Sequence, residues 1–324
     1  MKPFSRPVGR RDSPPDVNRL RILLLAAGIS CCGWPGGLFA QPVPVPNGSF
    51  ELPATQFVDT RMDAWQEAPK PPEFDEGGGF LWDQLTGVFR NTPPGSPDHI
   101  DNCDGLQAAY FFAVPGVGFF QDYDSVDWND PEPSRAFDAR FEAGKSYTLT
   151  FGVVAGGGNM LEGVSFEAAL YYRDGSGTNQ AVVSATNVVF TRAAFPTRTT
   201  LTEVTLRTPF VRAGDPWAGR HIGIRFLSTV SDGMKGGYWD LDHLRLVAEG
   251  PGEITLRTGV MDGKLQVRWP SVAGYRYQLE RSTGLDTWSE EGAAQPGTGG
   301  ALAAEVPLAG PPPAFFRVLA TPGT

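Results

Sequence analysis

Apolar and polar residues alternate along most of this chain in short runs, each closed by a turn signal. "SYTLTFGVVA" (146–155) is one such run, rich in β-branched and aromatic side chains. "VSFEAALYYRDGSG" (164–177) runs into an Asp-Gly turn, and "QAVVSATNVVF" (180–190), "TLTEVTLRTPF" (200–210), "HIGIRFLSTV" (221–230) and "YWDLDHLRLVA" (238–248) continue the series. A period of two puts alternate side chains on one face of an extended strand, so one face is buried and the other wet. Nowhere does a long 3.6-residue period intervene. Many short strands between Gly, Asn and Asp turns predict an all-β sandwich or barrel and argue against an α/β enzyme fold.

After "AEGPGE" the pattern resets. Residues 253–320 hold "ITLRTGV", "KLQVRW", "YRYQLERS", "TWSEEG", "ALAAEVPL" and "FFRVLA", six strand-like pieces that suit a small second sandwich. The boundary falls near Pro251, giving a first module over 41–249 and a second over 252–321. "VPVPNGSFELP" (43–53) reads as the opening strand of the first. Residues 68–97 are rich in Pro and Gly with few strand signals; they read as one long loop, and loops of that length often carry function.

Residues 1–40 change the picture of where the protein works. Six basic residues precede the apolar run "ILLLAAGI", which is too short to span a bilayer and is followed by small residues ending "GLFA". This is the pattern of a signal peptide, with cleavage expected after Ala40. A lipoprotein signal using Cys31 or Cys32 is the alternative. The protein is therefore expected to be secreted, whether periplasmic, on the outer surface or extracellular, and not to span a membrane. Of 27 basic and 36 acidic residues, six and two lie in the leader; the mature chain keeps 21 and 34, a net charge of −13. Such a surface repels phosphate backbones, so no nucleic-acid partner is expected. Only Cys103 remains after the leader, so the mature chain is expected to form no internal disulfide and to rely on its core, which a bound ion would reinforce.

Four stretches in order resemble the galactose-binding-like jelly rolls, a group that includes many carbohydrate-binding modules of secreted bacterial proteins. They are "NGSFE" (47–51), "AYFFAVPGVGFFQDY" (109–123), "FEAGKSYTLTFGV" (141–153) and "WDLDHLRL" (239–246). The resemblance implies a jelly-roll β-sandwich over about 45–248. "LQVRWPSVAGYRYQLERSTGLDTW" resembles the small fibronectin-III-like or immunoglobulin-like modules, with Trp269, Tyr277 and Trp288 at core-like positions. The first resemblance also implies a structural calcium ion held by Glu51 and Asp242. In strand alternation Asp242 shares a face with Leu244 and Leu246, where a carboxylate is costly unless paired or bound to a cation. The terminal strands of a jelly roll lie side by side, which would bring Glu51 to it, and two carboxylates with main-chain carbonyls make an oxygen site suited to Ca²⁺. The competing reading makes Glu51 an exposed end-of-strand acid and Asp242 a turn or cap residue.

The remaining chemistry points to binding. Sugar rings stack on aromatic platforms; Trp82 in "GGGFLWDQ" and Trp128 in "SVDWNDP" lie in loop-like contexts and are the candidate ligand residues, while Trp65 and Trp239 are assigned to the core. The clustered acids of "DYDSVDWND" lack the central Gly and closing Glu of a calcium loop and read as a solvated acidic loop. His99, His221 and His243 have no metal-ligand spacing, no G-x-S-x-G elbow is present, and Cys103 sits among acids that disfavour its thiolate. The chain is expected to be a non-catalytic binder of a glycan or polysaccharide. The alternative is a structural or adhesive protein whose partners are other cell-envelope proteins.

Overall fold

The computed structural model describes residues 39–323 apart from 129, 176, 178, 213, 252–253 and 308–314. Of the expected leader, residues 1–40, all but Phe39 and Ala40 lie outside them. Among the described residues the chain is all-β, broken only by short 3₁₀ turns. The first module runs through β1 (Phe39–Val43), β2 (Val58–Asp59), β3 (Gln66–Glu67), β4 (Thr86–Arg90), β5 (Gln107–Phe112), β6 (Gly118–Gln121), β7 (Val126–Asp127) and β8 (Asp130–Pro133). It continues through β9 (Ser146–Gly157), β10 (Ser165–Arg173), β11 (Gln180–Val189), β12 (Thr202–Arg207), β13 (Gly223–Ser228) and β14 (Tyr238–Gly250).

Two antiparallel sheets form the sandwich. One has the order β12-β9-β14-β5-β4-β2 with β1 beside β14, and the other β11-β10-β13-β6-β3. The alternation read in the sequence places the core: Tyr147, Leu149, Phe151, Val153 and Ala155 of β9 face Phe166, Ala168 and Leu170 of β10 and Ile224 and Phe226 of β13, all buried. Aromatic rings interlock across the two layers. Phe226 meets Phe151 at 5.0 Å and Phe166 meets Trp239 at 4.8 Å in an edge-to-face pair, while Phe119 lies beside Phe226 within its own sheet at 5.4 Å. Each such pair adds about 0.5–1.5 kcal/mol beyond the area buried.

Three local features depart from the alternation. "NGSFE" is not a strand but a tight turn, with Asn47 and Phe50 at φ of 48° and 55°. The Asn47 amide donates to the Leu52 and Asp63 carbonyls and accepts from the Leu52 N–H, closing the turn on itself. This drives Phe50 wholly into the core against Trp65 and Phe119. In β14 a bulge between Asp242 and Arg245, with His243 at φ 59°, resets the phase. Leu241 and Leu244 therefore both face the core, and Asp242 lies on the opposite face from Leu244 and Leu246. Finally, residues 68–97 are not one loop: β4 lies within them and pairs with β5 across its whole length.

The second module holds β15 (Arg257–Met261), β16 (Lys264–Pro270), β17 (Tyr275–Ser282), β18 (Ser289–Glu290), β19 (Gln295–Pro296), β20 (Ala301–Pro307) and β21 (Phe315–Pro322), in one sheet of three strands and one of four. Trp269 and Tyr277 are in its core as expected. Trp288 is not; it is half-buried at the rim, under the Arg317 guanidinium at 4.3 Å. The two modules touch. Tyr275 donates its hydroxyl to the Gly144 carbonyl (2.6 Å) and packs edge-on against Phe210 at 5.0 Å. Tyr275→Phe leaves that carbonyl without its donor and is expected to cost about 1 kcal/mol, read as a lower urea midpoint.

Candidate functional site

The first candidate is the closure of the chain. β1 pairs with β14 from Phe39↔Gly250 to Val43↔Leu246, so the terminal strands of the first module do lie side by side. The turn that follows β1 delivers Glu51 to the loop before β5, where its Oε1 accepts the Leu106 and Gln107 N–H groups at 2.8 and 2.9 Å. Asp242 reaches the same loop from beneath, and its Oδ2 accepts the Asp104 N–H at 2.6 Å. Gln107 locks the approach by donating to the Phe50 and Pro53 carbonyls and accepting from Thr55. Gly105, at φ 93°, sits where any side chain would strike the Glu51 carboxylate.

Both carboxylates thus spend one oxygen on main-chain N–H groups. Asp242 is wholly buried; the His243 N–H and the Cys103 thiol bear on its carboxylate, and among the described residues its Oδ1 makes no well-formed hydrogen bond. An orphaned carboxylate oxygen in such a place carries a large desolvation cost unless a cation meets it. Burial accordingly pushes the Asp242 carboxyl up to about 6. The Cys103 thiol beside it is raised as well, by burial first and then by the charges of Asp242, Glu51 and Asp104. It donates to the Gln107 carbonyl at 3.1 Å. The two acids read from the sequence therefore bond to one loop, Asp242 at Asp104 and Glu51 at Leu106 and Gln107, and each leaves one oxygen free of main-chain N–H bonds. The route differs from the expected one, because the bulge at His243 puts Asp242 under the loop rather than in the sandwich core.

The second candidate is a cavity of about 210 Å³ at the edge of the sandwich, lined by Thr60, Met62, Trp65, Gln66, Glu67, Thr86, Val126 and Trp128. It opens where the short edge strand β3 leaves the core uncovered beside β4. Trp128, at the tip of the β7–β8 hairpin, is 50 % exposed and forms one wall; Trp65 and Met62, both buried, form the apolar floor. Glu67 points inward because it pairs with Phe119, a core residue, in the register of β3 and β6. Its one hydrogen bond among the described residues comes from the Thr86 hydroxyl at 3.3 Å. Burial, with the charge of Asp83 adding to it, pushes Glu67 up to about 8.

Trp82 does not serve as a platform. It is 6 % exposed, packs edge-on against Phe74 at 4.9 Å and donates its indole N–H to the Ala68 carbonyl at 2.8 Å. The 3₁₀ turn Trp82–Gln84 aims the ring inward, so it is a peg that fastens the 68–85 segment to the sandwich. The glycine-rich, loop-like context had suggested exposure. Trp65 and Trp239 are buried, as expected.

Two other features were not read from the sequence. Asp122 of the acidic run is not solvated; it is 3 % exposed and takes the Tyr171 hydroxyl and the Arg173 guanidinium. It lines a larger cavity of about 290 Å³ in which His221 stacks on Tyr123 at 3.9 Å and bonds Asp138. There the charged groups named already compensate one another. On the outer face of the seven-stranded sheet, Phe89, Tyr110, Phe112, Phe80 and Tyr238 form a continuous row with ring spacings of 6.0–6.5 Å. Only Phe80 of the five is largely exposed. Asp240 lies in the row by register with Tyr110, and burial with the nearby Asp98 charge raises its carboxyl to about 8. Outward alternation in "AYFF" and "YWDLD" is the signal that marks this row.

The chain matches no protein-family model and no curated protein. Its β-sandwich is similar to several solved structures. One is a Stig cyclase from Fischerella sp. TAU, 20 % identical over 66 % of this chain and 100 % of that one, with a TM-score of 0.46. A xylan-binding CBM22-1 domain of Paenibacillus barcinonensis Xyn10C is 12 % identical over 60 % and 91 % (TM-score 0.32). The module TmCBM61, solved with β-1,4-galactotriose, is 15 % identical over 62 % and 95 % (TM-score 0.31).

Proposed function

We propose that this is a secreted, non-catalytic carbohydrate-binding protein. A calcium ion clamps its jelly roll, and a sugar ring is taken by the edge cavity beside Trp128. The observation that carries the reading is the cavity itself, where a half-exposed indole stands over an apolar floor with Thr60, Gln66, Glu67 and Thr86 around it. An aromatic face takes the apolar side of a pyranose, and the polar groups take its hydroxyls. At about 210 Å³ the cavity falls below the ~300–1,000 Å³ of sites that enclose drug-sized ligands, so it suits one ring with the rest of a glycan outside. Glu51 and Asp242 would hold the calcium, with main-chain carbonyls completing an oxygen shell. The ion neutralises two carboxylates that converge on one loop, a structural role remote from the reaction of any substrate.

The test is a glycan array and an insoluble-polysaccharide pull-down with the mature protein, in calcium and in chelator. Retention on one sugar class, lost with Trp128→Ala in a protein of unchanged fold, is the expected result. Failure on every sugar by a folded protein overturns the reading in favour of a structural or adhesive role.

A further inference from the structure

We propose that the edge cavity selects an amino sugar, a single pyranose ring carrying a protonated amine, and that Glu67 pairs with the amine. The inference rests on the cavity being a sugar site and adds which sugar it takes. Glu67 is the one carboxyl lining the cavity, and no Lys or Arg lines it among the described residues. The cations nearest in sequence are committed elsewhere: Lys70 pairs with Glu76 at 3.2 Å, and the Arg61 guanidinium grips both oxygens of Asp59 at 2.8 and 2.6 Å. Asp83 adds a further negative charge near Glu67 and supplies no counter-ion. Thr86, on the facing strand, donates a single hydrogen bond that leaves the second carboxyl oxygen to the cavity.

A carboxyl placed this way is a charge site missing its partner. An ammonium group in the cavity would supply it, because an opposite charge within contact favours the ionised acid. The indoles of Trp128 in the wall and Trp65 in the floor add aromatic surface that favours a cation, while Thr60, Gln66 and Thr86 remain for hydroxyls. A neutral ring gains none of the charge pairing. A uronic acid meets Glu67 and Asp83 with like charge. The acidic surface of the mature chain also draws cations toward the site.

The proton count gives this pairing a signature. Glu67 titrates near 8 in the free protein, and Tyr110, which feels its charge, is pushed by burial to about 12 and stays neutral throughout. The Asp59–Arg61 pair stays ionised across the same range. A sugar amine resembles an α-amino group, with a pKa of about 8. Below about pH 7 both partners carry a proton, and forming the ion pair expels the one on Glu67. Affinity therefore rises with pH by up to about tenfold per unit, peaks near pH 8, and falls above it as the free amine loses its charge.

The experiment titrates the mature protein with glucosamine, N-acetylglucosamine and glucose by ligand-observed NMR between pH 6 and 9. Glucosamine is expected to bind at least tenfold tighter than the other two at pH 7.5, with a maximum near pH 8. Glu67→Gln keeps a hydrogen-bonding group of the same shape; it should abolish both the preference and the pH maximum. Equal affinities for the three sugars, or a preference that survives in E67Q, overturn the inference and leave the sugar site standing. No saturable binding of any of the three, nor of their polymers, overturns the sugar reading and this inference with it.

Discussion

Chelation of the purified protein is expected to lower its melting temperature by roughly 5–10 °C. A site at a hundredfold its dissociation constant stabilises the fold by about 2.7 kcal/mol, and in a module of about 200 residues each kcal/mol is worth about 2–4 °C. The effect should be large because of where the acids stand. Asp242 is wholly buried with one oxygen lacking a well-formed hydrogen bond among the described residues, and Glu51 meets the same loop through the N–H groups of Leu106 and Gln107. Removing the ion uncovers two carboxylates whose repulsion and desolvation must then be borne by the loop that joins the first turn to β14. Glu51→Gln keeps the side-chain oxygen that accepts the two N–H groups and deletes only the charge. It should melt, in calcium, near the chelated wild type and ignore chelator. A wild-type melting curve that does not move with chelator, in protein that contains no metal by elemental analysis, would sink the calcium clamp.

The fold was legible where one face of a strand is buried and the other wet. The runs at 146–155, 164–173, 223–228 and 238–242 alternate because the sandwich interior imposes a period of two, and the structure sets them as β9, β10, β13 and the first part of β14. Legibility fails where a local backbone choice overrides that period. Asn47 and His243 each take a left-handed conformation, one converting an expected strand into a turn and the other flipping Asp242 to the far face of its sheet. Asn and His enter that region more readily than most residues, but type alone does not mark which copy does so, since hydrogen bonds and pairing far along the chain impose it.

The same limit governs the site. Trp82 and Trp128 stand in similar Gly-, Asp- and Pro-rich surroundings, yet a 3₁₀ turn points one inward and a hairpin tip holds the other out. Glu67 sits in "WQEAPK", with no apolar alternation to show which way it faces. Its inward direction follows from the pairing of a two-residue edge strand with Phe119 and Phe120. Glu51 and Asp242 could be matched because chain closure in a jelly roll brings the ends together whatever lies between. Glu67 and Trp128 are joined only by how far β3 extends, which no pattern in the chain encodes.

Trp82→Ala and Trp128→Ala should therefore give opposite results. Trp82 is buried against Phe74, with its indole N–H on the Ala68 carbonyl. Truncating it removes the packing and also leaves that carbonyl without a donor in the interior, so a loss of about 3–5 kcal/mol is expected. In urea denaturation this appears as a lower midpoint at an unchanged slope. Its ligand affinity, measured at a temperature where the variant is still folded, should change little, because the ring does not line the cavity. Trp128 is half-exposed at the tip of a hairpin, and its truncation should shift stability by less than about 0.5 kcal/mol. Stacking on its indole is worth on the order of 1–3 kcal/mol by analogy with other rings held on aromatic platforms, so glycan affinity should fall about five- to a hundredfold. If Trp128→Ala instead lowers the urea midpoint as Trp82→Ala does, the indole is holding the β7–β8 hairpin against the sandwich. The wall of the cavity is then structural, and the sugar has to be sought on another face.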